Sequence, residues 1–321
     1  MVRAIQRRLT AFLEAPIPVA PLGFFRVAMA AFVLVQGALW YKDWLLFFGS
    51  DGWLQWEISN SLTVGWSLHL AQIHAVLGPR LGFTPDQTAM AFYWVYMASA
   101  VGVLLGYRTR VWTILACLCH YVIMNTISTF VYGVDVFLQI ALFYLAVMPV
   151  EKAWSLDAWL KRVSVEPTWV TSLSMRVLQI HICLVYMSSG FEKLRSSAWW
   201  DGNVLWRSLV QPDFRQFDLH WIAQHPWLPI ALAWFTIVVE SGYFVAVWVP
   251  RLRVIWLAAI IGLHLGIGMF LGLWLFGIMM ILLSLSAFGY AALDDVKAWL
   301  AARRAPAPPV SVAITQPAAA E

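Results

Sequence analysis

Residues Leu178–Gly202 read LQIHICLVYMSSGFEKLRSSAWWDG, an apolar helix that emerges into Glu192, Lys193 and Arg195. Gln179, Tyr186, Ser189 and Lys193 follow steps of seven, three and four, which puts them on one helical face. His181, Ser188, Glu192 and Arg195, with steps of seven, four and three, form a second face. A helix polar over so broad a sector does not face lipid, because unpaired polar groups in hydrocarbon cost several kcal/mol each. The stretch therefore predicts a membrane helix turned toward protein or a cavity, ending in an aromatic rim at Trp199 and Trp200.

Composition supports that setting. Of 321 residues, 61% are hydrophobic and 12% charged, with twenty tryptophans. Soluble domains carry about 25% charged residues, so the chain is expected to be an all-α, polytopic transmembrane helical bundle in contact with the lipid bilayer. The net charge of +4 is spread over loops, which argues against nucleic acid as a partner. Cys117, Cys119 and Cys183 fall within apolar spans and read as small core hydrophobes, not as a disulfide framework.

Outward from the central stretch, four regions are expected. Residues 1–20 form a basic amphipathic arm, 21–290 the transmembrane domain, 291–304 a surface helix, and 305–321 a disordered Pro/Ala tail. About eight spans are predicted, at roughly 21–40, 88–105, 111–128, 134–150, 168–191, 229–249, 254–271 and 273–288. Two tryptophan-rich loops, 42–87 and 192–227, are too polar to cross and are expected to form interfacial helices. The last two spans are glycine-rich, and Gly262/Gly266 has the spacing of close helix packing. With the amino terminus inside, thirteen Lys/Arg side chains lie inside and six outside, with Arg26 and Arg176 within spans. The positive-inside rule then places both termini in the cytoplasm and both aromatic loops outside.

The intramembrane polar set is Arg26, Gln36, His120, Asn125, Asp135, Gln139, Arg176, Gln179, His181, Glu192, Lys193, Glu240 and His264. Arg26, Arg176 and Glu240 read as members of buried ion pairs or carbonyl clamps, with Arg26–Glu240 as one pairing. His120, His181 and His264 sit near the middles of three spans, so a haem between helices is a remote alternative. No zinc, phosphate-loop or serine-nucleophile motif occurs, and no metal ligands are assigned. Lys193 is the candidate catalytic base, a role that requires a neutral amine; the plainer reading is a lysine snorkelling to the interface.

Six motifs bear on this choice: Pro21-Leu-Gly-Phe-Phe-Arg26, Gly65-Trp-Ser-Leu-His69, Leu105-Gly-Tyr-Arg-Thr-Arg110, Trp154-Ser-Leu-Asp157, Tyr186-Met-Ser-Ser-Gly-Phe-Glu-Lys-Leu194 and Trp200-Asp-Gly202. In this order they resemble HTTM-domain proteins, whose membrane domain is shared with vitamin K-dependent γ-glutamyl carboxylase. The resemblance spans residues 20 to 290. It implies that Lys193, in Gly190-Phe-Glu-Lys193-Leu194, deprotonates a vitamin K-like quinol. Oxygen addition would then give a strong base, able to remove a γ-proton from a peptide glutamate ahead of CO₂ capture.

Two departures stand out. Where the carboxylases carry an assisting Asn-His pair, this chain has Ile127 and Ser128, which leaves Asn125 or Asp135 as substitutes. The carboxylases have a large domain after the spans that contributes to peptide binding, and here only the surface helix and tail are expected in its place. The expected pocket is Gln179, Tyr186, Ser189, Asn125, Asp135, His181 and His264 beside Lys193, with Trp199 and Trp200 at its rim. The alternative is a non-catalytic accessory or maturation subunit. It would dock a membrane or periplasmic protein through the outer aromatic loops, at Trp206 or Trp221. Either way the expected location is the bacterial inner membrane.

Overall fold

An apolar chain in a bilayer must close its own backbone hydrogen bonds, and helices do so within one segment. The computed structural model describes residues 2–62 and 67–304, and its regular structure among these is entirely helical. Gly65 and Trp66 of the second motif, and the tail expected at 305–321, lie outside the described residues. Helix α1 (Val2–Glu14) precedes α2 (Ala20–Trp40), and three short helices follow: α3 (Trp44–Phe48), α4 (Trp56–Leu62) and α5 (Leu70–Leu81). Then come α6 (Pro85–Leu105), α7 (Thr109–Thr126), α8 (Gly133–Val147) and the single turn α9 (Leu156–Trp159). The long α10 (Trp169–Leu194) runs into α11 (Ser197–Trp200) and α12 (Asn203–Val210). Helices α13 (Trp227–Ala246), α14 (Pro250–Leu271), α15 (Trp274–Ser284) and α16 (Tyr290–Arg304) are the last helices of the described residues.

Each expected span falls on a helix, but the helices are not equivalent. Six segments are long and apolar enough to cross a membrane: Ala20–Phe48, Pro85–Leu105, Trp169–Leu194, Trp227–Ala246, Pro250–Leu271 and Trp274–Arg304. The last includes the helix expected on its own at 291–304, because α16 continues from α15 through a π-helical turn, Leu285–Gly289. Helix α8 is apolar but has only 15 residues, about 22 Å at 1.5 Å per residue. Helix α7 carries Arg110, His120 and Asn125. Its carboxyl end is covered by the 41–84 connection: the Leu70 amide donates to Thr126 Oγ1 at 3.1 Å and Ser59 Oγ to the Thr126 carbonyl at 2.9 Å. One continuous core joins the helices, from Phe25 and Leu138 to Tyr186, Tyr243 and Met279. Outward-facing side chains on the spans are large and apolar, Trp94, Leu184, Val238 and Ile255 among them, as lipid contact requires. Gly262 and Gly266 also face open space, so that glycine pair does not bring helices together.

The α6–α7 turn explains three of the motifs at once. The last carbonyls of a helix have no partners within it and carry its negative dipole end. Arg26, fully buried on α2, donates to the Val103 and Leu104 carbonyls at the end of α6 and to those of Val150, Ala153 and Trp154. It thus forms a carbonyl clamp and does not pair with Glu240. Gly106 ends α6 at φ +66°, and a Cβ there would stand 2.4 Å from Ser155 Cβ. Asp157 closes the other side, accepting from the Arg108 and Thr109 amides at 2.9 and 2.8 Å and from Thr109 Oγ1 at 2.8 Å, which caps α7. Arg176 does a similar service for the arm, donating to the Phe12 carbonyl and lying 4.2 Å over its ring.

Replacing Arg26 with Met leaves these carbonyls without donors, at about 1–3 kcal/mol for each one that finds no other partner. The variant is expected to unfold in detergent micelles with a stability loss of at least about 3 kcal/mol; an unchanged thermal midpoint would contradict the clamp. Burial pushes the Asp157 carboxyl up, but the Thr109 and Arg108 donors and the Arg162 guanidinium outweigh it and hold it below the ordinary carboxylate range. Its contribution is therefore complete above the unfolded-state value of about 3.9 and fades as pH falls through the lower folded value. The acid limb of the stability curve is expected to flatten in Asp157→Asn.

Candidate functional site

On α10 the repeat of seven, three and four does what the sequence requires of it over its last steps. Gly190 is the reason: a Cβ there would lie 2.5 Å from the Ser241 backbone nitrogen, so α10 and α13 touch backbone to backbone. That approach brings Lys193 to Glu240, the residue before Ser241. Lys193 Nζ donates to Glu240 Oε2 at 2.6 Å and to Ser189 Oγ at 2.6 Å, and stands 5.1 Å from the Trp199 ring centroid. The two charged side chains are 16% and 8% exposed. An ion pair so poorly screened survives only with close geometry and further hydrogen bonds.

Beside the pair opens a cavity of about 540 Å³. Tyr186, Ser189, Glu192 and Lys193 form one wall and Thr236 and Glu240 the next. His264 and Ile267 of α14, Phe276 and Met280 of α15, and Phe137 of α8 close its apolar end. Trp199, Leu205 and Ser208 of α11 and α12 lie across it, so the tryptophan-rich connection contributes a wall as well as a rim. Deeper in, the Tyr186 hydroxyl is 2.9 Å from His264 Nε2 and 3.1 Å from Ser284 Oγ, and the Tyr243 ring packs 4.4 Å from the Tyr186 ring.

Of the residues singled out in the sequence, Lys193, Tyr186, Ser189, His264 and Trp199 meet at this cavity. The others lie elsewhere. Gln179 is nearly two turns below Tyr186, donating to the Ala287 carbonyl at 2.8 Å and accepting from Arg176 at 2.9 Å. His181 points to α8, where it bonds the Tyr144 hydroxyl at 2.8 Å. Asn125 reaches the Leu68 carbonyl at 3.2 Å. Asp135 accepts from Gln36 and the Tyr132 amide, both at 3.2 Å, next to His120, which is held between Tyr96 and the Asp135 carbonyl. Trp200 bonds the Leu194 carbonyl and faces Trp234, outside the cavity lining. Trp206 packs on the Leu209, Leu219 and Ile222 cluster, whereas Trp221 is exposed. Each intramembrane histidine therefore has its own tyrosine on another helix, and no group of metal-ligating side chains occurs among the described residues.

Glu240 is the site residue that sequence reasoning misplaced, by offering it to Arg26. Its signal is an acid in the apolar stretch Trp227–Ala246, which needs a cation, and the sequence offers Lys193 as well as Arg26. Ser284, Phe276 and Met280 gave none, because small and apolar residues on a membrane helix look alike whether they line a cavity or a contact.

A family model, the HTTM domain, matches residues 15–292. The chain belongs to the HTTM-domain family. No curated protein and no solved structure matches it. Family membership accords with the multi-pass helical fold.

Because removing one partner strands the other as a buried charge, Lys193→Met in this HTTM protein is expected to cost about 3–5 kcal/mol of stability. Lys193→Met with Glu240→Leu is expected to recover most of that in the same unfolding assay. A double variant no more stable than the single one would show that the pair is not coupled.

Proposed function

We propose that this HTTM-family protein is a membrane enzyme that takes a proton from the hydroxyl of a lipophilic substrate, with Lys193 and Glu240 acting together as the base. The carboxylase resemblance implies a quinol as the substrate class. The observation that carries the reading is a Lys–Glu pair lining a largely apolar cavity within a membrane bundle.

The pair alters what a lysine can do. A lone buried ammonium already holds its proton and is no base. Here the ammonium passes a proton across 2.6 Å to Glu240 Oε2 while its nitrogen accepts one from the substrate. The substrate O–H bond breaks and an N–H bond forms; an N–H bond breaks and a carboxyl O–H bond forms. Lysine ends as the cation it was, Glu240 ends neutral, and the substrate oxygen carries the negative charge beside the ammonium. The carboxylate is the weaker base of the two anions, so the transfer runs uphill by acidity alone. It is offset because the ammonium exchanges one ion pair for another in a largely apolar cavity. Ser189 Oγ holds Lys193 in place during the exchange.

The same reading puts the protein in the bacterial inner membrane with cytoplasmic termini, supported by the excess of Lys/Arg on the side of α1 and the α6–α7 turn. Lys193 then works at the outer face.

Lipid extraction of the purified protein followed by mass spectrometry is expected to yield a quinone near one per chain. With menaquinol supplied in nanodiscs, Lys193→Ala and Glu240→Gln are expected to bind it within a few-fold of the parent yet slow its oxygen-dependent consumption about 10²–10⁴-fold. Turnover that survives both substitutions would overturn the proposal.

A further inference from the structure

Among the described residues, three that carry side chains adopt left-handed backbone angles: Arg108 at φ +45°, Trp154 at φ +54° and Lys161 at φ +55°. L-residues resist that region, because Cβ crowds the following carbonyl. All three belong to one loop cluster, the α6–α7 turn and the connection through α9, and the buried groups of that cluster hold them there. Asp157 accepts from the Arg108 amide at 2.9 Å, and Arg26 donates to the Trp154 carbonyl at 2.6 Å. The Asp157 carbonyl accepts from the Arg162 amide, next to Lys161, at 2.9 Å.

These bends present their side chains outward. The Trp154 and Trp159 indoles are 61% and 76% exposed and, with Leu104, Leu105, Leu156 and Val165, line a shallow groove of about 590 Å³. Leu105 ends the span Pro85–Leu105, so the groove lies where hydrocarbon gives way to headgroups, the depth that tryptophan favours. Beside it the loops carry Arg108, Arg110, Lys152, Lys161 and Arg162 against Glu151, Asp157 and Glu166. Arg110 pairs with Glu151 and Arg162 with Asp157, whereas Arg108 and Lys161 are exposed and make no ion pair among the described residues. Arg162 stands 4.7 Å over the Tyr107 ring, and its hydrogen bond and charge, with the charge of Arg108, hold that phenol below its ordinary value. A positive rim thus borders an apolar groove at the end of a span.

We infer that this groove binds an anionic phospholipid of the adjoining leaflet: Arg108 and Lys161 take its phosphate, and an acyl chain lies along Leu105, Trp154 and Trp159. Charge decides the occupant, because a zwitterionic lipid brings a cation of its own to the two unpaired cations and an anionic one does not. A lipid also carries its anion and its chain in the order in which the rim and the groove meet them. The groove shares no lining residue with the Lys193 cavity, so the inference stands apart from the quinol reading.

The test is native mass spectrometry of the full-length protein, released into mild detergent from nanodiscs of equal phosphatidylglycerol and phosphatidylcholine. The parent is expected to retain phosphatidylglycerol about tenfold over phosphatidylcholine. Arg108→Asn with Lys161→Asn removes both charges, and asparagine still accepts the left-handed backbone. Its thermal midpoint is expected to hold while the preference falls to about twofold or less. Trp159→Ala, which alters no charge, is expected to lower retention of both lipids and to leave their ratio. Equal retention of the two lipids by the parent, retention of neither, or a preference that survives in the double variant overturns the inference. If the double variant unfolds, Lys161→Asn alone decides, with the preference expected to fall about threefold and an unchanged preference overturning the inference.

Discussion

Lys193 and Glu240 meet where α10 and α13 come into backbone contact at Gly190, in surroundings that water barely screens. Two opposite charges in that position hold each other more firmly than a surface pair, and neither can be removed alone at small cost. The contact fixes the angle at which α10 leaves the bundle, and so where Trp199 and α12 fall across the cavity. It also leaves both partners in the lining of a cavity of about 540 Å³.

The opposite fate of charge is seen at the α6–α7 turn. Arg26 is saturated by carbonyls and Asp157 by amides, a hydroxyl and Arg162, so nothing is left over for a ligand. Both arrangements answer the same demand, that a buried polar group find a partner in the protein. At the turn the answer is complete and serves the fold. At the cavity the Lys193–Glu240 pair stands in the lining itself, beside open space.

Much of this was legible before any coordinates. The spacing of Tyr186, Ser189 and Lys193 follows from helical geometry alone, and the cavity lies on that face. The same spacing overreached at Gln179, since a shared face says nothing of depth, and two turns separate a cavity wall from a core contact with Ala287. Span positions could be read from hydropathy, whereas the shortness of α8 and the covering of α7 by Ser59 and Leu70 depend on how segments far apart in sequence pack. Glu240 was visible as a charge needing a partner. The choice between Arg26 and Lys193 required knowing which helices are neighbours, which a single sequence does not encode locally. Asn125 and Asp135 lie away from this cavity, engaged at Leu68 and Gln36, and the group that meets Lys193 is Glu240 of α13.

In the proposed reaction, a proton taken from the quinol comes to rest on Glu240. Infrared difference spectroscopy of the protein with and without bound quinol reads this directly. The account expects a carboxylic-acid carbonyl band to appear with the quinol, to shift in deuterium oxide, and to be lost in Glu240→Gln. Binding without such a band, or with a band that persists in Glu240→Gln, would contradict it.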